Sequence, residues 1–393
     1  MMLGLLLARA GVSVVVLEKH ADFLRDFRGD TVHPSTLEVM HELGLLNDLL
    51  QRPHQRVSQL GGQIFGAPVR LADFSRLPTQ ARFIALMPQW DFLDFLALQA
   101  RRWHGFDLRM EAEVTELLRE GSRVRGVRAN TQDGPLEIHS ELVVGADGRS
   151  SRVREQAGLA VDAFGAPMDV LWMRLSRRAD DPAQTAGYIE RGHLMVLLDR
   201  GSYWQCAFLI PKGEFETRRR APIGELQAQL AAIVPFLAER VHELSSWEDV
   251  KLLTVRVDRL RRWYEPGLLC IGDAAHAMSP IGGVGINLAI QDAVATANLL
   301  ARRLRTGAPT TAELARVQRR RELPTRLTQS LQLRIQERFV GPTLAGTTQV
   351  VPRVARWLDR HAMLRRIPAR LIGLGLRPEH IGPDLGESAA RRG

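Results

Sequence analysis

Residues 268–292 read Leu268-Leu269-Cys270-Ile271-Gly272-Asp273-Ala274-Ala275-His276-Ala277-Met278-Ser279-Pro280-Ile281-Gly282-Gly283-Val284-Gly285-Ile286-Asn287-Leu288-Ala289-Ile290-Gln291-Asp292. A buried apolar strand ends at Gly272. Asp273 then sits at the carboxyl end of that strand, where open α/β sheets bind ligands. Pro280 and the glycines that follow shape a loop able to bring backbone close to a ligand. The N–H groups of that loop open a long helix, from about Val284 to Leu304, whose N-terminus favours negative charge. Asp273 suits a sugar or polyol hydroxyl. A glycine-rich loop alone is often a plain turn. Strand, Gly-Asp, Pro, glycines, Asn and helix in this order form a far more specific signal.

Two shorter motifs lie upstream. Leu142-Val143-Val144-Gly145-Ala146-Asp147-Gly148 is an apolar strand running into a turn, and Ser150 or Ser151 can cap the helix that follows. Alone, this is equally a simple strand-turn-helix connection. Arg28-Gly29-Asp30-Thr31-Val32-His33-Pro34 leads into a helix that Pro34 suits as a start. Leu37, Met40, Leu43 and Leu45 give that helix an apolar face. His33 reads as a capping or packing histidine rather than a catalytic one. The Arg-Gly-Asp tripeptide carries no adhesion reading.

The start of the sequence has its own pattern. Met1 to Ala10 is apolar and helical in type, Gly11 closes it, and Val12 to Leu17 is a β-branched run ending in Glu18. This is the back half of a βαβ dinucleotide unit, whose fingerprint runs strand, G-x-G-x-x-G, helix, strand, acidic residue. Counting back from Gly4, the third glycine falls one place before Met1. The spacing therefore predicts that the first strand and the phosphate loop, about a dozen or more residues, are absent from this sequence. A start placed too late is the favoured explanation, and a damaged copy is the other. Met1 to Ala10 is not read as a secretory signal.

Length and composition bound the remaining possibilities. At roughly 100–200 residues per domain, 393 residues imply two or three domains. The 45% hydrophobic and 25% charged residues exclude collagenous and largely disordered chains. No run of about 18 apolar residues marks a transmembrane helix. The net charge of +9 comes almost wholly from arginine, since lysine occurs only at Lys19, Lys212 and Lys251. The arginines are scattered and no nucleic-acid motif accompanies them, so most are read as solvated surface. Cys206 and Cys270 lie in apolar runs and read as buried reduced thiols, which suits the cytoplasm. No metal-ligand pattern is read.

In this order the motifs resemble the FAD-dependent aromatic hydroxylases, the single-component flavoprotein monooxygenases, over nearly the whole chain. The resemblance implies an α/β fold. A Rossmann-like FAD-binding domain, three-layered with a parallel sheet, carries an inserted, mainly antiparallel β-sheet substrate domain and a helical C-terminus. It implies that Glu18 binds the adenosine ribose and that Arg28 contacts the flavin side of FAD. Gln89, before a helix from about Asp91 to Trp103, matches the family's glutamine at the dinucleotide. Asp147 serves FAD and nicotinamide binding together, and Asp273 binds the ribityl chain. Pro280, Gly283, Gly285, Ile286 and Asn287 surround the isoalloxazine, with the backbone at Pro280 and Gly283 nearest the chemistry. Val284 departs from the glutamine of many relatives.

The implied reaction uses NADH or NADPH to reduce FAD. Oxygen then forms a C4a-hydroperoxide that hydroxylates an aromatic or polyketide-like molecule. The alternatives are a same-fold flavin oxidoreductase without oxygenation and a flavin-free remnant. Residues 1–60, 80–160 and 255–305 are expected in the FAD domain. Residues 61–79 and 161–254 are expected in the substrate domain, with strands at Val170–Leu175, His193–Leu198 and Tyr203–Ile210. Trp172, Tyr203 and Trp204 are candidate pocket walls, against the plainer reading of core aromatics. Residues 306–393 are expected to be helical, interrupted near Pro324 and broken at Pro368. The arginine-rich stretch Trp357 to Leu376 is expected to pack on the FAD domain, with a peripheral membrane contact as the alternative. The expected partners are small molecules and O2, not nucleic acid, and the chain is read as a monomer or homodimer.

Overall fold

The computed structural model describes residues 1–24, 31–182, 185–190, 192–347 and 351–385. Its main hydrophobic core is built around the helix Gly285–Leu304, which packs between the helices Met2–Arg9 and Thr311–Ile335. That core helix, taken from Ile281, is the stretch among the described residues long and apolar enough to cross a membrane, and 72% of its most apolar window is buried inside the protein. Two parallel strand pairs lie against it: Val14–Leu17 with Phe106–Arg109, and Val143–Gly145 with Leu268–Cys270. Gly4 lets the first helix lie close on its strand, because a Cβ there would stand 2.8 Å from Val16 Cγ2.

The parallel strands do not form one continuous sheet among the described residues. Val14–Leu17 and Val143–Gly145 each have one ladder partner, and Val143 and Val144 are only half-buried. Inner strands of a parallel sheet are normally covered on both faces and both edges.

The second unit is a seven-stranded sheet. Its order is Lys251–Leu253, Met168–Ser176, Tyr203–Pro211, His193–Asp199, Ala186–Glu190, Gln59–Ile64 and Ala67–Asp73. Every pairing is antiparallel except that of Ala186–Glu190 with Gln59–Ile64. One face is apolar and packs on the helix Ile223–Ile233, with Met173, Trp204, Cys206 and Phe208 buried in the seam. The other face carries Val170, Trp172, Val196 and Ala207, and shares an apolar cluster with Ile281 of the glycine loop.

Three expectations for the C-terminal region are corrected. Helix Thr311–Ile335 passes through Pro324 without interruption and ends in a π-turn, Gln336–Val340. A proline removes one helical donor, but long-range anchoring outweighs that here. Gln318, Gln329 and Gln332 donate to the carbonyls of Arg261, Asp258, Ala277, Ser279 and Ile281. Further on, the break falls at His361, between the helices Arg353–Arg360 and Arg366–Gly373, and not at Pro368. Pro368 sits in a first helical turn, where a missing N–H costs nothing. Finally, the stretch packs chiefly on the edge strand Ala67–Asp73 of the seven-stranded sheet rather than on the dinucleotide-type domain. The small Ala369 and Gly373 allow this close approach to Phe74 and Leu77.

Candidate functional site

The Gly-Asp motif ends its strand as predicted and turns through a tight 3-10 segment, Gly272–Ala274, with Gly272 at φ 59°. Asp273 is half-buried, and its Oδ2 accepts a hydrogen bond from Arg149 Nε at 3.0 Å. A Cβ on Gly285 would lie 4.0 Å from Asp273 Oδ1, so the carboxylate borders the start of the core helix. No side chain caps that helix end. Its free N–H groups and the Asp273 carboxylate therefore border one another, a combination that fits an electron-rich ring edge next to a polyol chain. Gly282 and Gly283 adopt left-handed φ of 79° and 63°, and a Cβ on Gly283 would stand 2.6 Å from Thr31 Oγ1. The loop thus needs glycine for both conformation and space.

Asn287 points into the protein and acts as a clasp. Its Oδ1 accepts from Thr36 Oγ1 at 2.7 Å and from the His33 N–H at 3.0 Å. Its Nδ2 donates to the carbonyls of Thr31 and Gly283, and Thr31 Oγ1 also donates to Gly283 O. The motif around His33 is thereby fastened to the glycine loop. Arg28 lies outside the described residues.

The Asp-Gly motif joins the same assembly. Asp147 is exposed, with Oδ2 accepting from the Val153 N–H at 3.1 Å, and Ser151 caps the helix Arg152–Gln156 by accepting from the Arg154 N–H. Arg154 is half-buried and donates to Asp258, to the Arg149 carbonyl and to the Ala274 carbonyl. It locks the two motifs in register. Glu18 ends the strand Val14–Leu17 and is half-buried, its Oε1 accepting from the His20 N–H. Gln89 is the first residue of the helix Gln89–Ala100 rather than a residue before it, since the helix starts two residues earlier than predicted, directly after Pro88.

Behind the Gly-Asp turn lies an ionic cluster with no counterpart in the sequence reading. Asp292 Oδ2 accepts from the Gly272 N–H at 3.0 Å and from His276 Nε2 at 2.5 Å, while Oδ1 accepts from Arg321 Nε at 3.0 Å. Arg321 reaches on to Glu379, which also pairs with Arg320. Burial raises the Asp292 carboxyl, but His276 and Arg321 outweigh it and hold the group below the usual carboxylate range. The signal available in the sequence was a charged residue on the buried face of an apolar helix, four residues after Leu288.

The candidate pocket aromatics separate. Trp172 and Tyr203 belong to the sheet face that shares a cluster with Ile281, and Tyr203 lies under the Arg174 guanidinium at 4.9 Å. Trp204 faces the other way. It is fully buried against Phe236 and donates to Asp181, so it is a core residue and not a pocket wall. Adjacent strand residues point to opposite faces, which forbids Tyr203 and Trp204 from sharing one pocket. Cys206 and Cys270 are free and buried, and burial pushes the Cys270 thiol up to about 12.

A glycine cradle, an uncapped helix end and a carboxylate at a strand terminus lie together at this site. The chain belongs to the FAD binding domain family, which matches residues 1–330, and it is an FAD-dependent monooxygenase. It is 32% identical over 390 residues to 6-methylpretetramide 4-monooxygenase of Streptomyces rimosus, covering 98% of this chain and 92% of that protein. It is 28% identical over 296 residues to rifampicin monooxygenase of Rhodococcus hoagii, covering 72% of this chain and 57% of that one. The chain thus spans little more than half the length of this second relative. In fold it is similar to PqsL of Pseudomonas aeruginosa, a probable FAD-dependent monooxygenase, with a TM-score of 0.74 at 24% identity, covering 88% of this chain and 95% of that one.

His33 supplies a pH dependence. Its ring is fully buried, Nδ1 donates to the Ile372 carbonyl at 2.8 Å, and burial lowers its pKa to about 4. The unfolded chain therefore takes up this proton first, near pH 6.5. His33 contributes stability that is complete above about pH 6.5 and is lost as pH falls toward 4, by at most about 1.4 kcal/mol per pH unit. Thermal unfolding at neutral and mildly acidic pH is expected to show a smaller acid loss in His33→Asn than in the parent. Equal losses would remove His33 as the cause.

Proposed function

We propose that this protein hydroxylates a polycyclic aromatic or polyketide-like molecule, using NAD(P)H and O2. The observation that carries the reading is the similarity to 6-methylpretetramide 4-monooxygenase along almost the full length of both chains. When bound, FAD supplies the activation of O2 and the transfer of one oxygen atom to the ring. Glu18 holds the adenosine ribose, with Gln89 and Asp147 along the dinucleotide. Asp273 binds the ribityl hydroxyls. The uncapped backbone N–H groups at the start of the helix Gly285–Leu304 would meet the polar edge of the ring system, where a helix N-terminus favours negative charge.

The chain's own part is positioning and dryness. The sheet face bearing Trp172, Val196 and Ala207 packs toward Ile281 and shields the loop from water. Tyr203, Arg174 and Gln205 on the same face give an aromatic phenol a stacking wall and polar partners.

The test is direct. The purified, FAD-loaded protein is expected to oxidise NAD(P)H faster with a polycyclic phenol present, and isotope-labelled O2 is expected to place one oxygen atom in the product. Stimulated NAD(P)H oxidation with no oxygen in the product would establish the same-fold oxidoreductase instead. A folded, colourless protein that rejects added FAD would overturn both.

A further inference from the structure

The helices Arg353–Arg360 and Arg366–Gly373 are seated on their inner side and bare on their outer side. Ala355 is buried with Ile64, Val69 and Ile189, and Ala369 and Leu374 are buried with Val57, Ala72 and Phe74. The outer side carries Val354 at 67% exposure, Trp357 at 52%, Met363 at 71% and Ile367 at 57%. Val354 and Trp357 are three residues apart on one helix and share a face, while Met363 lies in the 3-10 turn Ala362–Arg365 that leads into the helix of Ile367. Four large apolar groups within 14 residues form a patch of the kind that marks an interaction site. Single exposed apolar residues would carry no such meaning.

The charges around the patch identify its partner. Arg353, Arg356, Arg360, Arg366 and Arg370 are all exposed. The one acidic residue between 351 and 370 is Asp359, and it is already engaged with the Arg70 N–H and with Arg365. Arg365 is turned inward and donates to the Leu358 carbonyl. A two-fold dimer through this face would set the same arginines against one another, which opposes a second copy as the occupant. Tryptophan and aliphatic side chains rimmed by arginine instead match the boundary between headgroups and acyl chains, where basic residues add attraction to anionic lipid.

We propose that this helical pair docks the protein on an anionic lipid surface. The apolar side chains enter the headgroup boundary while the arginines meet lipid phosphates. The same segment runs on to Ile372, which packs against Met278, Val284 and Leu288 of the glycine loop region, so the docking face lies next to the wall of the candidate site. The inference is independent of the proposed substrate.

Co-sedimentation with vesicles tests it, using phosphatidylglycerol with phosphatidylcholine against phosphatidylcholine alone. The full-length protein is expected to partition at least about tenfold more strongly onto the anionic vesicles, and to lose that preference at high salt. Trp357→Ser with Met363→Ser is expected to lower partitioning by about tenfold. Arg356→Gln with Arg360→Gln and Arg366→Gln is expected to do the same on anionic vesicles only. FAD content and NAD(P)H oxidation should stay at parental levels in both variants. If the first variant fails to fold, the arginine variant and quenching of Trp357 by brominated lipid, measured against Trp357→Phe, decide the matter. Absence of binding to anionic vesicles at low salt, binding unchanged in the arginine variant, or preference for a soluble acidic protein would each overturn the proposal.

Discussion

Arg321→Met is expected to destabilise the protein by about 3–5 kcal/mol, the cost of leaving buried carboxylates without their cation. Arg321 and Asp292 are almost wholly buried, and the guanidinium serves both Asp292 and Glu379. Methionine fills the volume but donates nothing. Asp292 then keeps only His276 and the Gly272 N–H, and Glu379 keeps only Arg320 and its remaining local contacts. The expected result is a lower urea midpoint with an unchanged slope. Adding Asp292→Asn to the variant should recover part of the loss, because the charge left behind is then removed. A loss under about 1 kcal/mol for Arg321→Met would show that the cluster does not hold the fold together.

Asp273→Asn should behave in the opposite way, with little loss of fold and a large loss of cofactor. Its ion pair with Arg149 is about a third exposed on both sides, so it contributes at most about 1 kcal/mol to stability. A hydrogen bond from a ligand hydroxyl to a carboxylate is worth about 1.5–3 kcal/mol. FAD affinity, followed by the visible absorbance of bound flavin, is therefore expected to fall by a factor on the order of 10 to 100, with unfolding almost unmoved. Arg149→Gln separates the two roles of the carboxylate, since it removes the competing partner and keeps the acceptor. An Asp273→Asn protein binding FAD within twofold of the parent would remove Asp273 from the cofactor site.

What the sequence revealed follows from the range of the interactions involved. The turn at Gly272, the glycine loop, a cap at Ser150 or Ser151 and the start at Pro34 are set by neighbours within a few residues, so local chemistry predicts them, and the structure assigns the cap to Ser151. Strand alternation also separates Tyr203 from Trp204, although that inference needed the strand to be trusted. The ionic cluster was hidden because Asp292, Arg321 and Glu379 come from three distant segments, and each reads alone as an ordinary charge. The uninterrupted passage through Pro324 was hidden for a related reason. Helix propensity argues for a break there, and glutamines bonding to a distant loop override it. The seat of the C-terminal helices depends on small residues meeting Phe74 and Leu77, which no periodicity could reveal.

The bonds that finish the site reach across almost the whole chain. Arg9 donates to the Leu385 carbonyl across 376 positions, and Glu42 accepts from the Ile381 N–H across 339. Glu379 joins the cluster that braces Gly272, and Ile372 accepts from His33. During synthesis the segment 372–385 leaves the ribosome after every element that it fastens. The glycine loop must therefore wait, partly assembled, for its last supports, and such high contact order slows folding. On this order of assembly flavin capture is expected late in synthesis, and shortage of the cofactor at that moment would leave a collapsed but unfinished protein exposed to proteolysis.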